Sequence, residues 1–191
     1  MSVDYWHGGR RGIAVGDMLR SPYERRREWS AIERRVEAIN RRIGYDADRN
    51  PKLVYFTTDR ELARGWAMHL EHEGGGSLYR VRPVPPSSLE ADPDYAGVGF
   101  AARRAEVVEV VEDLVVMDAE DALRATHGKY SLWEDGSPIY DPDGYMLPPP
   151  AARDIGATAS PYRHFGRWFV IPPGYVVAWT GRGDAFLHPV Q

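Results

Sequence analysis

The chain has 191 residues, 43% hydrophobic and 27% charged, with a formal net charge of −4, which describes one globular body with room for an appendage. Cysteine is absent, so disulfides, thiolate catalysis and cysteine-based zinc sites are excluded, and the acidic balance argues against general nucleic-acid binding. No apolar run approaches the roughly 20 residues of a membrane span, and the N-terminus lacks a signal-peptide layout, so a cytoplasmic protein with no membrane partner is expected.

Tyr5-Trp6-His7-Gly8-Gly9 reads as a short aromatic strand ending in a histidine and two glycines, where a ligand can approach the backbone. Gly12 to Leu19 reads as a loop with a tight turn at Gly16-Asp17. Glu24 to Ile43 predicts a long amphipathic helix: Trp29, Ile32, Val36, Ile39 and Ile43 recur at three- and four-residue steps, and Gly44 follows. Its other face carries arginines interleaved with Glu28, Glu33 and Glu37, either a solvated face with ion pairs or a surface for a phosphate-bearing ligand or acidic partner. Lys52 and Lys129 are the only lysines.

Leu53 to Phe56 reads as an apolar strand, and Thr58 three residues before Glu61 predicts a capping box. The helix behind it repeats Leu62, Trp66 and Leu70, and Gly74-Gly75-Gly76 stops it. Leu78 to Val84 predicts a half-buried strand, leading to a proline-rich corner at Asp92-Pro93. A turn-rich loop over Asp94 to Gly99, a β-branched strand over Ala105 to Met117 and a short helix around Ala119 to Ala125 follow. Turn formers fill residues 128–163. Asp141-x-Asp143-Gly144 has part of a calcium-loop pattern but not its remaining ligands, so it reads as a turn. Trp168 to Ile171 and Tyr175 to Trp179, joined by Pro172-Pro173-Gly174, predict a hairpin.

Three separated pieces, Tyr5-Trp6-His7-Gly8, Val54-Tyr55-Phe56-Thr57 and Asp92-Pro93, resemble in order and spacing the rifamycin ADP-ribosyltransferases, which carry a His–Tyr–Asp triad. Ala14 to Leu19, Tyr79 to Pro83 and Arg103 to Val108 are similar to the flanks of those motifs. The resemblance covers residues 5–20 and 50–115; the 24–43 segment and the last stretch of the chain stand outside it, and Gly9 stands where that family usually has threonine. It implies an α+β fold, with ADP-ribosyltransferase-like split β-sheets around an NAD cleft, an inserted amphipathic helix and a C-terminal β-rich extension. The expected division is a core over 1–117 and an extension over 118–191 packed on it.

The resemblance also implies an enzyme: a mono-ADP-ribosyltransferase with NAD as co-substrate and no metal, releasing nicotinamide. Its acceptor would be a rifamycin-like small molecule, as in antibiotic resistance, or a protein, as for a toxin. His7, Tyr55 and Asp92 are the implied catalytic residues. His7 would bind the adenosine ribose, Tyr55 would stack on nicotinamide, and Asp92 would face the charge that develops on the ribose, as in glycoside hydrolysis. Gly8, Gly9, Arg10, Thr57 and Trp66 complete the expected NAD-binding set, with Arg10 or Arg11 placed beside the turn to pair with pyrophosphate. Structural readings stand beside these: Tyr55 as a core tyrosine, Asp92 as a turn residue, Trp66 as core. Two other functions fit the same residues, an NAD glycohydrolase toxin in which water replaces the acceptor, and a non-catalytic structural or interaction protein, such as a virion or assembly component, on a degenerate fold of this kind. The second would use the aromatic tail, including Trp133, Tyr162 and Trp179, as an interface.

Overall fold

The computed structural model describes residues 3–43, 50–70 and 74–190. Their order is β1 (Tyr5–Arg10), β2 (Met18–Arg20), α1 (Pro22–Arg25), α2 (Ala31–Ile43), β3 (Val54–Thr57), α3 (Arg60–Met68), β4 (Gly76–Val84), β5 (Glu90–Ala91), β6 (Gly99–Ala102) and β7 (Arg104–Glu112). Then come α4 (Ala119–Leu123), α5 (Pro150–Asp154), β8 (Tyr175–Trp179) and β9 (Ala185–Pro189). The protein is mixed α+β. Its described residues form two compact units, one drawn from Met1–Arg34 with Asp48–Thr126 and one from Arg35–Ala47 with His127–Gln191.

In the first unit, seven antiparallel strands run in the order β2-β7-β4-β1-β3-β6-β5. The ladder is broad between β1 and β4, with six register pairs from Tyr5↔Val81 to Arg10↔Gly76. Between β1 and β3 it narrows to the single pair Trp6↔Thr57. Four strands therefore lie on one side of a narrow junction and three on the other. Alternation along the strands divides the core. Tyr5, Phe56, Tyr79, Val81 and Val107 pack on one face, with the Tyr5 ring edge-on to Phe56 and Phe100 at centroid distances of 5.2 and 5.4 Å. Trp6 and Leu78 pack with Ala63 and Ala67 of α3 on the other.

Gly8 is what lets α3 sit against β1. A Cβ there would lie 1.9 Å from the Ala63 carbonyl oxygen and 2.7 Å from the Ala67 nitrogen. The buried residues of α3 are Leu62, Ala63, Gly65 and Ala67, so its contact face is broader and made of smaller residues than Leu62, Trp66 and Leu70 suggest. Its N-cap is Asp59, which accepts from the N–H groups of Glu61 and Leu62. Thr58, expected as the cap, instead donates to the Val98 carbonyl at 3.4 Å. The aspartate takes the cap because it sits one residue nearer the first helical turn.

The long helix read over 24–43 is two helices. Ser21 caps α1 through the Glu24 N–H, and the chain then turns at residues 26–30. Ser30 restarts it with a reciprocal capping box, its hydroxyl accepting from Glu33 N–H at 3.1 Å and its own N–H donating to Glu33 Oε2 at 2.7 Å. Ile32 and Ile39 on α2 are exposed rather than packed into a core. Gly44, read as the helix stop, lies outside the described residues.

Gly12 to Leu19 contains the expected turn: Asp17 N–H donates to the Ala14 carbonyl, with Gly16 at φ +91°. The segment then enters the sheet as β2, which pairs with β7 from Met18↔Glu106 to Arg20↔Arg104. The strand expected over Ala105 to Met117 ends at Glu112.

In the second unit Met146, Tyr162, Val177 and Ala185 form a separate buried cluster, joined by Trp133, Phe165 and Phe169. Trp133 and Tyr162 are thus used internally. The Asp141 segment is a turn, its carboxylate accepting from the N–H groups of Asp143 and Tyr145 at 2.9 Å each. The hairpin is β8–β9, from Tyr175↔Pro189 to Trp179↔Ala185. Trp168 to Ile171 is not its partner strand. Pro172 and Pro173 lack ladder donors, while Gly181 and Gly183, both at positive φ, form the turn beyond Trp179.

Candidate functional site

A cavity of about 510 Å³ opens in the first unit, bordered by His7, Gly8, Gly9 and Arg10 of β1 and by Tyr55 of β3. That volume falls in the range of small-molecule sites, about 300–1,000 Å³. Five residues expected from the sequence to act on a ligand therefore converge, although 48 positions separate the histidine from the tyrosine.

A direct bond joins the two. His7 Nδ1 lies 2.8 Å from the Tyr55 carbonyl oxygen. A carbonyl only accepts, so Nδ1 carries the proton, and in the neutral ring Nε2 is then the acceptor. The bond crosses the narrow junction between β1 and β3. The imidazole occupies the space above Gly9, where a Cβ would approach Nε2 to 2.5 Å. Glycine at position 9 is thus a requirement of this ring placement. The Tyr55 hydroxyl is drawn back to the Asn50 backbone, accepting from its N–H at 2.9 Å and donating to its carbonyl at 3.3 Å. The tyrosine is half-buried, neither core nor free surface.

Asp92, Thr57 and Trp66 do not line this cavity. Asp92 is buried at 8% exposure and caps the short turn Pro93–Tyr95, accepting from Asp94 N–H at 3.1 Å. Its own N–H donates to the Gly99 carbonyl. Gly99 pairs with Thr57, and Thr57 with Trp6, so Asp92 ends a row that crosses β6 and β3 to β1. Strand spacing puts its Cα on the order of 12 Å from that of Tyr55. Thr57 is buried, donating to Val98 O and accepting from Asp59 N–H. Trp66 packs edge-on against Tyr95 at 6.1 Å, and the Tyr95 hydroxyl reaches the Thr126 carbonyl at 3.4 Å. These contacts brace the turn that carries Asp92. Burial holds the neighbouring His69 below the ordinary histidine pKa.

Arg10 borders the cavity, whereas Arg11 is turned to Asp113, which it meets at 2.8 Å. Two further wall residues, Arg25 and Glu33, paired at 2.9 Å, come from the helix face read as ion-paired or as a surface for a phosphate-bearing ligand, and were not assigned to this cavity. The signal was present: Ser30-x-x-Glu33 is a capping box inside an apparent helix, and it redirects the chain so that both ends of the pair face one space. Partial burial raises the Glu33 carboxyl, but the Ser30 N–H and hydroxyl and the Arg25 charge outweigh it and hold it below its ordinary value. Glu28 is likewise held low, chiefly by its hydrogen bonds from Arg20, with smaller help from the charges of Arg25 and Arg10.

Among the described residues no cluster of three or more histidine, aspartate or glutamate side chains is arranged to hold a metal ion, and no helix is long and apolar enough to cross a membrane. Set against known proteins, the chain matches no protein-family model and no curated protein sequence.

Proposed function

We propose that the protein is an NAD-consuming mono-ADP-ribosyltransferase, with His7, Tyr55 and Asp92 as its triad on split sheets that flank an NAD cleft. The observation that carries this reading is the His7–Tyr55 bond on the rim of the cavity. It joins two of the three sequence motifs at the junction where the sheet narrows to one pair. The residues suit the ligand: glycine backbone for close approach, an imidazole acceptor for a ribose hydroxyl, and arginine for phosphate oxygens.

NAD supplies a nicotinamide leaving group whose departure leaves positive charge on the ribose. His7 Nε2 accepts a hydroxyl of the adenosine ribose, and the Tyr55 ring provides a flat face for nicotinamide. The Asp92 carboxylate opposes the developing charge and orients the incoming nucleophile. The acceptor is a rifamycin-like small molecule or a protein; in a glycohydrolase, water takes its place. Nicotinamide release from NAD, measured for the native chain and for Asp92→Asn, tests the reading. Resistance conferred by expression tests the rifamycin acceptor.

A second reading, a non-catalytic binding protein on the same scaffold, draws on Asp92 itself. Its carboxylate caps the Pro93–Tyr95 turn, a sufficient structural reason for aspartate there. NAD binding without nicotinamide release would favour it.

A further inference from the structure

Arg25 enters the cavity wall from α1, in the stretch that separates the first two motifs. Its Nη2 donates to Glu33 Oε1 at 2.9 Å. Its Nε is shielded from solvent and has no hydrogen-bond partner among the described residues. A charged donor buried without an acceptor is costly. Nothing among the described residues satisfies that donor, and an acceptor in the cavity reaches it once the wall around Nε opens by a small shift.

Arg10 adds a second guanidinium to the same wall. Arg10, Arg20 and Arg25 line the space together with Asp17 and Glu33. Asp17 is occupied at the turn by the Ala14 N–H at 2.9 Å. Arg20 is bound through both terminal nitrogens to Glu28, at 2.8 and 2.7 Å, so its donors and its charge are both answered there. Glu33 is held from two sides, by its own helix cap and by Arg25, and so fixes the plane of the fork. A planar fork fixed in this way matches phosphate oxygens. A volume of about 510 Å³ has room for much more than a single phosphate.

We propose that Arg25 is the oxyanion-recognition residue of this cavity and binds the diphosphate of an adenine nucleotide, with Glu33 as the residue that positions it. The identity of the nucleotide rests on the NAD reading above; the diphosphate contact rests on Arg25.

The test is calorimetric titration of ADP and of adenosine into the full chain, as native protein, Arg25→Lys and Arg25→Ala, with thermal melting to establish folding. Arg25→Lys keeps a positive charge and removes the fork, so it stays informative if the alanine variant fails to fold. The native chain is expected to bind ADP at least about tenfold tighter than adenosine. Arg25→Lys is expected to lose about tenfold or more for ADP, with adenosine unchanged. Equal ADP affinity in native and Arg25→Lys protein overturns the proposal, as does native ADP binding no tighter than adenosine. Nicotinamide release on the same samples separates the two claims. Arg25-dependent ADP binding with NAD left intact removes the transferase and keeps the diphosphate site. NAD cleavage with KM unchanged in Arg25→Lys does the reverse.

Discussion

His7 donates from Nδ1 to the carbonyl oxygen of Tyr55 at 2.8 Å, and this side-chain bond spans the point where β1 and β3 share only one register pair. It fixes both the tautomer and the direction of the ring. His7→Ala removes the proposed ribose anchor without touching the group that faces the reacting carbon. KM for NAD is expected to rise about tenfold, with kcat falling much less. Steady-state nicotinamide release checks this; a selective loss of kcat would contradict it.

Gly9 leaves room for that ring, since a Cβ would stand 2.5 Å from His7 Nε2. Gly9→Ala forces the imidazole off its position and is expected to reproduce the KM effect of His7→Ala while leaving the fold intact. Near-native melting together with an elevated KM is the expected pair of results.

Gly8 is different, because its neighbour is backbone. A Cβ 1.9 Å from the Ala63 carbonyl cannot be relieved by turning a side chain. Gly8→Ala is expected to push α3 off the sheet and cost about 1–3 kcal/mol or more, lowering Tm by several degrees at about 2–4 °C per kcal/mol. Thermal denaturation of the two glycine variants side by side tests the contrast.

Tyr140 makes the alkaline stability of the second unit pH-dependent. Burial pushes its hydroxyl up to about 12, and the hydroxyl donates to the Phe169 carbonyl at 2.7 Å. The folded state holds the proton longer than the unfolded chain, whose tyrosine ionises near 10. This contribution is complete below pH 10 and is lost as pH rises through 12. It amounts to about 2–3 kcal/mol for the rise from 10 to about 12. Tyr140→Phe is expected to flatten the fall in Tm between pH 10 and 12, and an unchanged slope would contradict the assignment.

Much of the fold was legible because its signals are local. The β3–α3–β4 succession follows from an apolar run, a helical repeat and a glycine turn, and β1 follows from its aromatic alternation. The misreadings came where two local signals compete. Trp29 to Ile39 keeps helical spacing across a break that only Ser30 and Glu33 reveal. The C-terminal hairpin was displaced because Pro172-Pro173-Gly174 is a strong turn signal, whereas Gly181 and Gly183 build the turn that is used. The sequence motifs singled out His7, Gly8, Gly9, Arg10 and Tyr55, and β1 and β3 bring them to one cavity. Arg25 was legible as part of an arginine-rich face but not as a wall residue, because its approach depends on where a helix restarts rather than on any neighbour in sequence. Asp92 was read both as a catalytic carboxylate and as a turn residue, and it caps a turn.

The most direct measurement is nicotinamide release from NAD by the purified chain, beside Asp92→Asn, which keeps the capping oxygen and removes the charge. Both proteins would be assayed alone and with a rifamycin or a host-cell lysate as acceptor. The account predicts release by the native chain and a drop of about 10²–10³ in the variant, the scale seen when one preorganised group facing developing charge is removed. No release by the native chain under any of these conditions, or equal release by the variant, would contradict it.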